Sequence, residues 1–359
     1  MAYLNYAGSC PILPEAEQEV ERTLTEYKDY LYSEKGIQWY RTKVLQCRET
    51  VAALLHVSNP SSIAFVPNAS TANYLLISSI DWKRGDIILS STHENPSIRN
   101  ELLTLKHRDV ETQFLPTTAS PQEFLTSIHH ALHEPRVRAI ILSHVSHVDG
   151  RIFPIAGISS LAKEHDTLLI VDGAQAVGHI AVNFDHLNCD AYFFSGYKWC
   201  RGPLGTGGLV FSKHYLEYAP SVLSTSTTST QHPASRFEIG THNIGLIAGL
   251  AKACENINQE GLNSQGLKTI REIAKQQLGE MQEIQVREWD GPHAPGILTF
   301  ESQHHNAIME VFQKDNIVVK PFTDYPEGET PAIRMSWLKE VDANNVTNIF
   351  NKINKQLPV

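Results

Sequence analysis

Two segments of this 359-residue chain hold side chains suited to covalent chemistry at an amine. Asp172 closes the apolar run TLLIVDGAQ and is followed by Gly173, Ala174 and Gln175. The next such run, AYFFSGYKWCRGPLGTGG, ends on Ser195 and Gly196 and then presents Lys198 between Tyr197 and Trp199. An isolated Asp at a strand end ordinarily caps a helix or a turn. An isolated turn lysine is ordinarily solvated. A lysine between aromatic residues, at the same sheet edge as a carboxylate, reads differently. Desolvation lowers an amine's pKa and makes it a usable Schiff-base nucleophile. The glycines from Gly202 to Gly208 do not follow the G-x-G-x-x-G order, and no G-x-x-x-x-G-K-[ST] occurs. A nicotinamide-dependent oxidoreductase is therefore the disfavoured alternative.

These residues need strands to hold them. SSIAFVPNAS reads as a strand and turn leading into the helix TANYLLISSI, and DIILSS, ETQFLP, RAIILSHVS, TLLIVDGAQ and AYFFSGYK as further strands. Their unbroken Ile, Leu and Val runs suit strands buried on both faces of a parallel sheet. Alternation with amphipathic stretches such as PQEFLTSIHHALHE predicts an α/β domain over residues 15–250. Residues 1–14 and 251–359, with GILTFES, NIVVKPF and a closing amphipathic helix, are expected to form a smaller α+β domain. The Ser/Thr-rich stretch 221–235 reads as a loop. In open α/β sheets ligands bind at the carboxyl ends of strands, where Asp172 and Lys198 fall.

Composition narrows the partners. Hydrophobic residues make up 42% and charged residues 19%, enough for a large core and unlike a disordered or coiled-coil chain. The net charge is −9 without a Lys/Arg block, so the footprint of a nucleic-acid binder is missing. Five cysteines without a CxxC pair argue against a disulfide framework and a zinc ribbon. No metal site is expected. The start lacks a signal-peptide pattern, and no apolar run approaches the roughly 18 residues of a membrane span. The expectation is a soluble cytoplasmic protein with no membrane partner.

Taken together, VDGAQ, SGYKWCRGPLGTGGLVF and RFEIGTHNIGLIAGL resemble the class V aminotransferase family of pyridoxal-phosphate enzymes, in its cysteine-desulfurase-like branch. The resemblance runs from YLNYAGSCPILP to AIRMSWLKEVD. It implies the type I pyridoxal-phosphate transferase fold, a homodimer with shared active sites, and pyridoxal 5'-phosphate as cofactor. It also implies roles for particular residues. Lys198 would anchor the cofactor covalently and shuttle protons. Asp172 would pair with the pyridinium nitrogen and keep the ring an electron sink. Gln175 would reach the ring's phenolic oxygen, and His93 would lie on the ring face. Ala69 and Ser70, at a strand-to-helix turn, would take the phosphate on a helix N-terminus, although Ser70 or Thr71 could simply cap that helix. Ser195 would be a further phosphate ligand, and Thr241 would reach the phosphate of the partner subunit. Arg334 would hold the substrate carboxylate with its guanidinium fork, near Gly8 and His147.

Three departures matter. Tyr197 stands where this branch often has histidine, and His147 where many members have asparagine. Desulfurases carry a nucleophilic cysteine shortly before the carboxylate-binding arginine, but VVKPFTDYPEGETPAIRMSW contains none. Desulfuration needs a thiolate, so the expected reaction is β-elimination of the C–S lyase type on a small L-amino acid. Amino transfer to a keto acid and epimerisation are the alternatives, since they share Cα deprotonation. Cys10 and Cys200 are the outside candidates for a nucleophile, and the turn at Gly202-Pro203 is expected to direct Cys200 elsewhere.

Overall fold

In the computed structural model, residues 2–31, 33–219, 232–262, 264–323 and 330–354 are described. The Ser/Thr-rich stretch lies outside them up to residue 231, as do residues 324–329 on the approach to Arg334. The central sheet has seven strands in the order Ile63–Val66, Gly207–Phe211, Ala191–Ser195, Leu168–Asp172, Val137–Ser143, Ile87–Ser91, Glu111–Leu115. The last five of these pair in parallel, and Gly207–Phe211 runs antiparallel to both its neighbours. All but the edge strand Glu111–Leu115 are almost entirely buried, as expected of strands covered on both faces. Each strand read in this part of the sequence is present. The antiparallel one was missed, because GPLGTGG reads as a turn.

One core layer lies on each face. Val51, Phe65, Phe124, Ile140, Tyr192 and Phe194 belong to one, and Leu76, Ile88, Ile141, Ile170, Phe193 and Phe211 to the other. A four-stranded antiparallel sheet, ordered Lys320–Phe322, Ala332–Ser336, Ile297–Ser302, Ile284–Val286, packs with the helices Ser264–Gly279, His305–Lys314 and Ala343–Asn354 around Phe300, Phe312, Trp337 and Phe350. The extended segment NIVVKPF is two short strands, Ile317–Val318 and Lys320–Phe322. The N-terminal segment joins both cores. Ala2–Tyr3 pairs with Ile317–Val318 and Leu4 enters the small-sheet core, whereas Ala7 and Cys10 pack against the large sheet. Among the described residues no helix is long and apolar enough to cross a membrane.

Candidate active site

Strand register brings polar strand ends to one edge. Ser143 pairs with Asp172 and Asp172 with Phe193 in parallel, and Ser195 pairs with Gly207 of the antiparallel strand. The Asp172 carboxylate is buried and accepts the Ala174 amide on Oδ1 at 2.8 Å, which leaves Oδ2 without a protein donor among the described residues. Burial pushes its pKa up, and the Lys198 ammonium pulls it back down. Close packing fixes the turn after it, since a Cβ on Gly173 would sit 2.1 Å from the Tyr192 ring.

Lys198 keeps part of its surface open, and its amine has no protein hydrogen bond among the described residues. Burial pushes its pKa down, Asp172 opposes that, and Arg334 adds to it. The expected direction is therefore present, with burial as its first cause. Trp199 turns away, stacks on His179 at 3.6 Å and donates from Nε1 to Gln175 Oε1 at 2.7 Å. Gln175 Nε2 in turn donates to the Ala7 carbonyl at 2.9 Å, which commits one of its two protons. Cys200 Sγ points to the Val177 carbonyl at 3.4 Å, away from the lysine as expected.

At the helix Ala69–Ser79, Asn68 Oδ1 accepts the Thr71 amide at 2.8 Å and Ser195 Oγ accepts the Ala69 amide at 3.0 Å. Asn68 is therefore the cap, a contact worth about 1 kcal/mol, and neither Ser70 nor Thr71 is needed for it. Of the first three amides, Ser70 N–H alone has no acceptor among the described residues. Tyr197 is partly exposed and Thr241 is exposed.

Arg334, on the strand Ala332–Ser336, is 4% exposed. Its Nη1 donates to the His147 carbonyl at 2.6 Å and its Nη2 to Asn5 Oδ1 at 2.9 Å. Its Nε is buried with no partner among the described residues. Burial lowers the guanidinium to about 10. Phe322 lies 5.7 Å from the guanidinium and 5.8 Å from the His147 ring. His147 is held neutral, well below the usual imidazole range, by burial and then by Arg334, Lys198 and His93 around it. Gly8 closes the turn that carries Asn5, with its amide on the Asn5 carbonyl at 2.9 Å. Asn5 escaped the sequence reading, because its partner lies 329 positions away.

His93 is 1% exposed. Thr117 Oγ1 stands 3.2 Å from Nε2, and Ser146 Oγ stands 3.4 Å from Nδ1. Asp149 Oδ2 faces Nδ1 at 3.6 Å and is bound by Arg151 Nη2 at 2.6 Å. Burial alone would raise Asp149, yet His93 and Arg151 hold it well below the carboxylate range. Neither Asp149 nor Arg151 carried a signal in the sequence beyond a charged pair across a glycine.

Residues 2–338 match the family profile Aminotransferase class-V. The chain belongs to the class V aminotransferases. A cysteine desulfurase of Salmonella agona is 28% identical over 332 residues, covering 86% of this chain and 79% of that protein. Among solved structures, the cystine C–S lyase C-DES in complex with cysteine persulfide superposes with a TM-score of 0.86 at 22% identity, covering 99% of this chain and 98% of that one. A cysteine desulfurase from Thermococcus onnurineus NA1 gives 0.85 at 20% identity, over 99% of this chain and 94% of that one. At such identities the likeness is one of fold, the type I fold that the motifs implied.

The class V aminotransferases are pyridoxal-phosphate enzymes, and the residues of this site fit that cofactor. Among the described residues, an amine without a protein partner, a buried carboxylate with one oxygen to spare and a helix N-terminus with one open amide match an aldehyde, a ring nitrogen and a phosphate.

Proposed function

We propose that this class V enzyme is a C–S lyase that eliminates the β-substituent of a small sulfur-bearing L-amino acid. The state of its thiols carries that choice over desulfuration. All five cysteines are buried. Burial pushes Cys10 and Cys47 each up to about 12, drives Cys189 upward, and, with the Cys254 contact leading, raises Cys200 well above the usual thiol range. No cysteine occurs between Val318 and Arg334. A protein-bound persulfide needs an accessible thiolate, and these thiols do not supply one.

Pyridoxal phosphate, when bound, supplies the electron sink that makes the substrate Cα–H acidic. The chain's own residues do the rest. Lys198 would anchor the cofactor, and its amine is the base placed to take the Cα proton; burial lowers its pKa, which favours the neutral form that task needs. Asp172 keeps the ring nitrogen charged. The remaining Gln175 amide proton would serve the phenolic oxygen, and His93 would cover the ring. The Ala69–Ser70 helix start, Ser195 and Tyr197 would hold the phosphate. The Arg334 fork takes the substrate carboxylate beside neutral His147 and the Asn5–Gly8 turn. A neutral imidazole there lets the arginine remain the site's cation for the carboxylate.

Purified enzyme given cystine or cysteine should release pyruvate and ammonia without a keto acid, and serine variants of Cys10 and Cys200 should keep kcat within a few-fold. Amino transfer that requires a keto acid and yields no pyruvate would move the enzyme to the transaminases. Sulfane sulfur on Cys10 or Cys200 by mass spectrometry, with activity lost in that variant, would return it to the desulfurases.

We further infer a homodimer with shared sites. Thr241 is exposed, and Ile239 beside it and Leu204 after the lysine turn are large apolar side chains at 58% and 71% exposure. Mixed dimers of Lys198→Ala and a severely impaired Thr241 variant should recover activity that neither parent has. A fully active monomer in light scattering would contradict this. The free state of all five cysteines suits a reducing compartment, and we place the enzyme in the cytoplasm.

A further inference from the structure

Asp149 and Arg151 have no part in the roles above, yet they are a buried charged pair within reach of the site. Asp149 is 0% and Arg151 7% exposed. Burying two charges costs several kcal/mol per ion, and their attraction recovers it only with good geometry. Here the geometry is built for it. Gly150 adopts φ 78°, a left-handed conformation that turns the chain between the two residues, and a Cβ there would meet Ile297 Cβ at 2.9 Å. Arg151 donates its own amide to Asp149 Oδ1 at 3.2 Å and its Nε to Oδ2 at 2.8 Å, while Nη1 reaches the Thr118 carbonyl at 3.3 Å. The guanidinium lies over Trp289, 5.3 Å from the ring centre. Held in this way, Asp149 turns Oδ2 toward His93 Nδ1, with the Ser146 hydroxyl beside the same nitrogen.

We propose that Asp149, pinned by Arg151, is a positioning residue that fixes the tautomer and ring plane of His93. A carboxylate facing Nδ1 keeps the proton on that nitrogen, and Nε2 is left toward Thr117 Oγ1. Rotation of the ring would break both contacts together. The His93 carbonyl is fixed as well, by His147 Nδ1 at 3.1 Å, so backbone and ring are anchored independently. This inference rests on the reading of His93 as the residue over the cofactor ring.

The test uses Asp149→Asn, Arg151→Met combined with it, and His93→Gln. Asp149→Asn alone leaves the Arg151 cation buried without its carboxylate, so the double variant, which removes both charges and keeps an apolar side chain over Trp289, guards against loss of the fold; circular dichroism checks both. In both, kcat should fall about 10- to 100-fold, as for loss of a charge-assisted contact, with KM within threefold because Arg334 is untouched. Histidine-selective 15N NMR of the cofactor-free protein should show His93, identified by the signal missing in His93→Gln, leaving the Nδ1–H tautomer in both Asp149 variants. Wild-type kcat in the double variant, or an unchanged His93 tautomer, overturns the proposal. The His93→Gln enzyme separates the two readings. If it stays active, the role of His93 falls and the proposal with it. If it is inactive while the double variant is fully active, only the role of Asp149 falls.

Discussion

Lys198→Ala should lose covalent attachment of the cofactor and at least about a thousandfold in turnover, because nucleophile and proton shuttle disappear together. Among the described residues the amine has no competing protein hydrogen bond. Its neighbours set its chemistry in opposing directions: burial and Arg334 favour the neutral amine, and Asp172 favours the ammonium. Borohydride reduction of the holoenzyme followed by peptide mapping should place the pyridoxyl group on Lys198 and find none in the variant. A pyridoxyl group on any other lysine would remove the assignment.

Asp172→Asn should keep the cofactor and lose most of the turnover. The asparagine Oδ1 can still accept the Ala174 amide, so orientation is preserved. The position of Oδ2 becomes an N–H2 group, a donor facing a ring nitrogen that no longer has a reason to stay protonated. Loss of a charge-assisted hydrogen bond, roughly 1.5–3 kcal/mol, corresponds to about 10- to 150-fold in rate, and the weakened electron sink adds to that. Cofactor content by absorbance and kcat at saturating substrate are the two measurements. Turnover near wild type with cofactor bound would show that the ring nitrogen has another partner or none.

The sheet was legible because most of its strands are continuous apolar runs, which suit strands covered on both faces, and because they alternate with amphipathic stretches. Asp172 and Lys198 stood out for a related reason: Asp172 closes such a run and Lys198 follows the end of the next by three residues, so both fall at the carboxyl edge, where ligands bind. Arg334, Gln175 and Thr241 came forward only through the family motifs, since nothing in their local pattern distinguishes them from packing or surface residues. The strand Gly207–Phe211 was hidden by its glycines. A Cβ on Gly207 or Gly208 would lie 2.4 Å from the Phe194 carbonyl or ring, so those glycines serve close packing between strands and not a turn.

By itself, then, the sequence determined the class of fold and the family, and singled out the two residues proposed for the centre of the chemistry, because all three readings rest on short stretches of chain. Tertiary structure alone decided how those residues are held. Asn5 meets Arg334 and Ala7 meets Ser336 across 329 positions, and Gln175 reaches back to Ala7 across 168. Asp149 finds His93 only because a left-handed turn and a second sheet hold it there. Contacts of that kind depend on which apolar faces pack together, and the free energy of that packing belongs to the whole core, not to any local pattern of residues.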